Sequence, residues 1–476
     1  MSVVALVPIT LIIILILIFL KTKNTEELYI YILAYSCIVD IVFDRAAFTF
    51  GSVEVNCGLI IRFCLIVIGI CYLNKKKWVK YSEAQVWGIL LLISLFLGMV
   101  YGLIVPYDGS VVEDWDDYIV GKEYPHHKEF NLYESVKIYF SIIIYILNAY
   151  IIKYFLTKNV FVNLMRKIFK GCLILVCFGY IELFFKKILL YPNVILDFID
   201  FAFGDVSTSY NSAGVEKNGV YLLQGFQAEP SQFVLHLFTI ALLGIIINEI
   251  TYKDINKIDK FALINVCLIF LLMLLSGGFS ALLCCGLIIL FGIAIHGRWY
   301  NMSFKSFLKS CLALFIVALI GTGVIYNLLN DAESYWGERI RLTLTVIEYM
   351  FTPGGLAMLN YADSSLARFI SIVQVFENFL DRPLLGLGVG YLFAHDSLVS
   401  FLADFGVVGT FLWYKFIICK DQYNNKYDMV FFVLYFLVAG LPEGDARSYA
   451  GRVYVFLLFE STKFYCNEIY NVRGVL

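Results

Sequence analysis

Charge is what this chain has least of. Only 16% of its 476 residues are Asp, Glu, Lys or Arg, where a soluble domain carries about 25%. The scarcity excludes an ordinary soluble globular protein. The 36 basic and 38 acidic side chains nearly cancel, to a formal net charge of −2. A nucleic-acid partner is excluded too, because neutralising phosphates needs a concentrated basic surface and none is present. Histidine is scarce, with five in all, and no loop gathers a set of metal ligands. His126 and His127 adjoin acids, but neighbours in an extended loop point apart. Neither a metal nor a cofactor is expected. Disulfides are not expected either: of the 12 cysteines, Cys57, Cys64, Cys71, Cys284, Cys285 and Cys311 sit in apolar runs and none lies in the three longest polar loops. They read as small buried hydrophobes. The seven-residue step from Cys57 to Cys64 to Cys71 comes with no histidine or acid, which speaks against a metal site.

What is present in excess is apolar surface. Hydrophobic residues make up 61% of the chain and mean hydropathy is +0.80. The opening "MSVVALVPITLIIILILIFL" lacks a basic start and a small-residue cleavage site, so it reads as a first membrane span rather than a signal peptide. Runs of about 20 apolar residues, the length a bilayer demands, recur along the chain. The pattern predicts an all-α polytopic membrane protein of about 12–14 transmembrane helices, as a single integral membrane domain. The spans read as 3–20, 28–43, 57–73, 84–105, 136–156, 168–185, 231–248, 261–276, 280–296, 310–328, 397–418, 429–441 and 453–466.

Lysine and arginine orient these spans, since short basic loops stay cytoplasmic. "KTKN", "NKKKWVK", "MRKIFK", "YKDINKIDK", "HGRWYNMSFKSFLK" and "KDQYNNKYD" fall on alternate loops, hence on one side. Lys186 and Lys187 are the discordant pair, expected to snorkel from the sixth span to the interface. Every long loop then faces the far side of the membrane: an acidic one at 106–135, a second at 186–230 and a large one at 329–396. The acidic loop reads first as a solvated cap. The large loop exceeds what a connector needs, and such loops tend to carry function.

Within it, Leu366, Phe369, Ile370, Val373, Phe376 and Leu380 recur at three- and four-residue steps, predicting an amphipathic helix over 364–382. Gln374, Glu377, Asn378 and Asp381 form its polar face. Ser364 or Ser365 caps it, Pro383 ends it, and it is expected to lie along the membrane surface. Gly386, Gly388 and Gly390 follow as a compliant turn. Next comes "HDSLVSFLADFGVVG", a histidine and an aspartate at the mouth of an apolar span.

An arginine heading an amphipathic helix, then "RPLLGLGVG", then His395 with "SLVSFLADFGVVGTFLW", resembles the shared core of the bacterial O-antigen polymerase (Wzy) and O-antigen ligase superfamily. The match covers residues 364–413. "GFQAEPSQF" resembles the segment leading into a middle span of the polymerases. "LLSGGFSALL" stands where many members carry Ser-Arg-Gly, with Gly277 here in place of the arginine. A further arginine often found just upstream of Gly225 is absent, Leu222 and Leu223 occupying the region. The Glu-Pro-Ser segment and the chain length favour polymerase over ligase. A lipid-linked oligosaccharide flippase or other transporter is the alternative from another class; neither an internal repeat nor matched discontinuous helices speak for it.

The resemblance implies a GT-C-like membrane glycosyltransferase of surface polysaccharide and lipopolysaccharide biosynthesis, in the bacterial inner membrane with its site facing the periplasm. An oligosaccharide leaves undecaprenyl pyrophosphate and joins a hydroxyl of another lipid-linked repeat unit, with inversion and without a metal. The implied partners are these lipid-linked oligosaccharides, membrane lipids and a Wzz-like chain-length regulator. Such a transfer needs a base, positive groups at the departing pyrophosphate and apolar grooves for the lipid tails. His395, with an ordinary imidazole pKa of about 6.5, suits the base. Arg368 suits the pyrophosphate, since guanidinium grips phosphate oxygens in a fork. Arg339, Arg341 and Arg382 in the large loop, and Arg447 in the turn "PEGDARSYAGR", are further candidates to stand in for the missing family arginines. Asp396 reads first as a helix N-cap and second as a group orienting His395. Asp404 lies eight residues further on, about 12 Å along the helix axis, as a site residue or half of a buried pair. Glu229, beside Pro230, is read evenly as a sugar-binding acid and as a helix-start carboxylate.

Overall fold

The computed structural model describes residues 6–43, 47–50, 53–75, 83–107, 132–155, 158–189, 216–217, 220–225, 230–255, 258–276, 281–282, 284–289, 337, 341, 344, 375–376, 378–389 and 397–418. These residues are mostly helical. The helices are α1 (Leu6–Lys21), α2 (Thr25–Val42), α3 (Cys57–Lys75), α4 (Glu83–Ile104), α5 (Leu132–Phe155), α6 (Lys158–Leu183), α7 (Pro230–Ile255), α8 (Lys260–Leu275) and α9 (Ser397–Ile418). Their apolar composition drives burial where helices meet, and α7 is enclosed almost all round: Phe233 to Leu243 are all buried.

Two short antiparallel hairpins interrupt the helices, β1 (Ala47–Phe50) with β2 (Val53–Asn56), and β3 (Glu216–Lys217) with β4 (Val220–Tyr221). An all-helical reading misses them. Phe48, Phe50, Val53 and Val55 alternate around Gly51-Ser52, a two-residue hairpin pattern too short to compete with the long apolar runs on either side.

Two helices are long and apolar enough to cross a membrane among the described residues, Gln85–Ile104 and Asn163–Lys186. Shorter apolar helices run over Leu6–Lys21, Cys57–Tyr72, Gln232–Asn248, Lys260–Leu275 and Phe401–Trp413. Helix α6 starts well before the apolar stretch at 168: Arg166 and Lys167 lie inside it, their charges turned to Thr251 and to the Tyr31 ring. The spans expected at 310–328, 429–441 and 453–466 lie outside the described residues, as does most of the acidic loop.

Helix ends gather in two sets. At one end, Tyr72 of α3 donates to Glu26 of α2 (3.0 Å), and Arg166 of α6 donates to Thr251 of α7 (2.8 Å). There also the Lys167 ammonium stands 3.7 Å from the Tyr31 ring centroid, and Lys415 of α9 stands 5.9 Å from the ring of Trp87. Arg62 and Asp40 pair across α3 and α2 at 3.9 Å, towards the opposite end. At that opposite end α4 and α6 finish and α7 and α9 begin. α9 packs on α4, α7 on α8, and α2 on both α3 and α6. The cysteines described are all free, and the Cys57, Cys64 and Cys71 series runs from buried to exposed rather than sharing one environment.

Candidate functional site

The sequence that follows Asp381 makes an unusual joint with α9. In a regular helix the amides of Val407 and Val408 would donate to the carbonyls of Ala403 and Asp404. Here they donate to Pro383 (2.8 Å) and Leu384 (3.3 Å) instead. The released carbonyls of Ala403 and Asp404 accept from Leu387 (2.8 Å) and Gly388 (3.3 Å). The turn at 383–388 therefore replaces two rungs of α9 and leaves none of the four groups unpaired. Irregular backbone in apolar surroundings is tolerable only on such terms.

Two glycines make this approach possible. Gly406 breaks α9 at φ 64° and ψ −177°, and a side chain there would run into Leu384 O and Gly386 N. Gly386 has φ 73°, and a Cβ on it would lie 2.6 Å from the Ala403 and Asp404 carbonyl oxygens. Gly98 of α4 backs the same turn, its Cβ position 3.1 Å from Leu385 O. Thus "RPLLGLG" and "ADFG", far apart as motifs, form one interlocked unit.

Arg382 fastens that unit to α4. Its guanidinium donates to Val105 O (2.7 Å) and Pro106 O (2.9 Å), carbonyls just past the α4 C-terminus, where a cation also suits the helix dipole. It is flanked by the rings of Tyr101 and Tyr107, at 5.2 and 5.3 Å from their centroids. Tyr107 donates in turn to Asp381 Oδ2 at 2.6 Å. Arg382 is thus engaged as a fastener of the loop to the bundle.

The loop helix, described from Val375, turns inward with Val375, Asn378 and Phe379, all buried. Phe376 and Leu380 are exposed, as is Leu384. Asn378, read from the sequence as part of a polar outer face, is a buried residue. Of the apolar stripe, the two described residues, Phe376 and Leu380, face away from the bundle.

A second polar knot lies at the same end. Glu182 and Lys186 pair at 2.6 Å, one turn apart and both fully buried. The Glu182 carboxylate accepts from the amides of Gln224 (3.1 Å) and Gly225 (2.7 Å), and Lys186 Nζ donates to Leu222 O (3.2 Å). A π turn over Phe184–Ile188 ends α6 and carries the lysine. Lys186 is therefore buried and paired, and the expected snorkelling to the interface is corrected: a carboxylate four residues back and a backbone carbonyl serve it better than the interface. Leu223 N donates to Ser276 O (3.1 Å), so the "LLQGFQAEP" and "LLSGGFS" stretches meet here. The Gln224 side chain is buried with neither Oε1 nor Nε2 paired among the described residues. Glu182 and Lys186 are the residues sequence reasoning missed. An acid and a lysine at i and i+4 deep in an apolar helix was the signal.

Of the residues expected at the site, Asp404 is buried within the interlock, and Arg382 lies beside it. Arg341 is helical and partly exposed. His395, Asp396, Arg368, Glu229, Arg339 and Arg447 lie outside the described residues. His395 and Asp396 immediately precede α9, and Glu229 immediately precedes α7, so both helices begin beside a candidate. Among the described residues no three His, Cys, Asp or Glu side chains form a metal-binding group. No protein-family model and no curated protein matches this chain.

Proposed function

We propose that the chain is a polytopic membrane glycosyltransferase that polymerises surface polysaccharide, as an O-antigen polymerase does. It sits in the bacterial inner membrane with its site on the periplasmic face. The membrane reading is supported by apolar residues that no neighbour covers. Ile89, Ile93, Phe96, Leu97 and Ile104 of α4 are exposed, as are Phe376 and Leu380 of the loop helix. An exposed apolar surface of this extent matches lipid rather than water.

The reaction forms a glycosidic bond between an acceptor hydroxyl and the anomeric carbon of the donor as its bond to undecaprenyl pyrophosphate breaks, without a metal. His395 takes the hydroxyl proton, and Arg368 carries the charge of the departing pyrophosphate. The other candidates, Glu229, Arg339, Arg341, Asp396 and Arg447, hold sugar hydroxyls or phosphate around them. Arg382 and Asp404 contribute by fixing the joint from which α9 leads back to His395. The observation that carries this reading is that joint: the residues bearing the family resemblance, 382–388 and 403–408, are the ones that interlock.

Complementation of a strain lacking its polymerase tests it. His395→Ala and Arg368→Ala should each abolish the ladder of polymer lengths while leaving the protein in the membrane. Full ladders from both variants overturn the assignment. Offering lipid A core and lipid-linked repeat units as acceptors separates the polymerase from a ligase.

The break in α9 favours one second reading, a lipid-linked oligosaccharide transporter, since transporters place broken helices at their sites. In those proteins the broken ends face substrate, whereas here the turn at 383–388 occupies them. Intact flipping without polymer in His395→Ala excludes transport.

A further inference from the structure

At the lysine-rich end of the bundle, away from the proposed site, α6, α7 and α8 line a half-open cavity of about 330 Å³. Its lining includes Arg166, Phe169 and Lys170 of α6, Ile247 of α7, and Phe261 and Ala262 of α8. Arg166, Phe169 and Lys170 share one face of α6 at steps of three and four residues, so two cations flank one ring. Arg166 is held by Thr251 Oγ1 at 2.8 Å, and the Lys170 ammonium lies 6.0 Å from the Phe261 ring centroid. Phe169 and Phe261 meet edge to face at 6.3 Å and form the apolar wall.

Asp259 is the one acid of the lining, but its carboxylate is turned to its own helix, accepting from Ala262 N at 3.1 Å as the N-cap of α8. Asp259 thus neutralises the positive end of the α8 dipole, and the charges left to meet an anion are those of Arg166 and Lys170. Arg166, Phe169 and Lys170 belong to "MRKIFK" and Asp259 to "YKDINKIDK", the loops whose lysines mark a cytoplasmic side. A site of this size, mostly apolar with two cations in its lining, suits a phosphate with an apolar body attached.

We propose that this cavity binds the phosphodiester headgroup of an anionic phospholipid of the cytoplasmic leaflet, with Arg166 and Lys170 on the phosphate and the Phe169–Phe261 wall against the glycerol and acyl chain. Basic pockets between helices on this side of a membrane recognise such headgroups. The inference rests on the membrane reading but is independent of any glycosyl transfer.

Purified full-length protein in neutral detergent provides the test, read by thermal unfolding and by lipid retained in native mass spectra. Phosphatidylglycerol should raise the melting temperature by a few degrees, phosphatidylcholine of the same acyl chains much less, and inorganic phosphate not at all. Lys170→Gln should weaken phosphatidylglycerol binding about fivefold, and adding Arg166→Gln should remove the preference over phosphatidylcholine. Lys170 is exposed, and among the described residues it engages the Phe261 ring, so its variant keeps the fold. Equal shifts with both lipids, or an undiminished preference in Lys170→Gln, overturn the proposal. A shift with inorganic phosphate equal to that with phosphatidylglycerol overturns the lipid source. A protein that shows the preference yet polymerises nothing refutes the proposed activity and leaves this site standing.

Discussion

The two polar knots at the end where α9 begins solve one problem with opposite chemistry. Around residues 222–225 the irregular backbone presents donors, and a carboxylate, Glu182, takes the amides of Gln224 and Gly225. Past the α4 C-terminus it presents acceptors, and a guanidinium, Arg382, takes the carbonyls of Val105 and Pro106. The sign of the charge follows from the backbone group left over. The settings differ as well. Glu182 and Lys186 are wholly enclosed, so the acid needs a counter-ion to be tolerated. Arg382 is partly exposed and leans on two tyrosine rings instead. A charge can thus organise backbone in an apolar bundle either by bringing its partner or by staying near the surface.

Removing one partner of the enclosed pair should have the largest effect. Glu182→Gln leaves the Lys186 charge buried and turns an amide donor toward backbone N–H groups, and it should cost about 3–5 kcal/mol in a detergent unfolding titration. Replacing both residues by leucine sharpens the comparison: it should recover a good part of that loss, while leaving the 222–225 segment more readily cleaved by protease. A double variant as unstable as the single one would show that capturing the amides matters more than pairing the charges. Arg382→Lys, which keeps the charge but loses the fork, should cost about 1–3 kcal/mol and loosen the loop helix in hydrogen exchange. Tyr107→Phe, which removes only the hydroxyl donated to Asp381, should cost about 1 kcal/mol. An Arg382→Lys loss as large as that of Glu182→Gln would erase the distinction between the knots.

Much of the helical layout is legible in the sequence because apolar length is itself the cause of a helix in such surroundings. The helix expected at 397–418 is found over Ser397–Ile418, and that at 84–105 over Glu83–Ile104. In the sequence Gly406 is one more residue of "ADFGVVG", inside an expected span. Its positive φ depends on the turn at 383–388, and periodicity within α9 carries no trace of a hydrogen-bond partner in another segment. The loop helix was legible as amphipathic, yet which face turns inward was not: Asn378 goes in and Leu380 out, because the pattern ranks polarity without saying whether the medium outside is water or lipid. Lys186 was misread because it was weighed without Glu182. In the proposed reaction centre, His395 rests on the resemblance and on its position just before Ser397 at the start of α9, and Arg368 on the resemblance.

The exchanged rungs also constrain how the protein is assembled. As a ribosome delivers the chain, 383–388 emerges before α9, and α4 long before both. Until that turn has settled on α4, nothing holds Gly406 at its positive φ, and α9 can close its own rungs from Val407 to Ala403 and from Val408 to Asp404. The break is therefore a late exchange: the turn at 383–388 trades partners with rungs that α9 can otherwise make for itself, so the kink arrives with the docking and not before it.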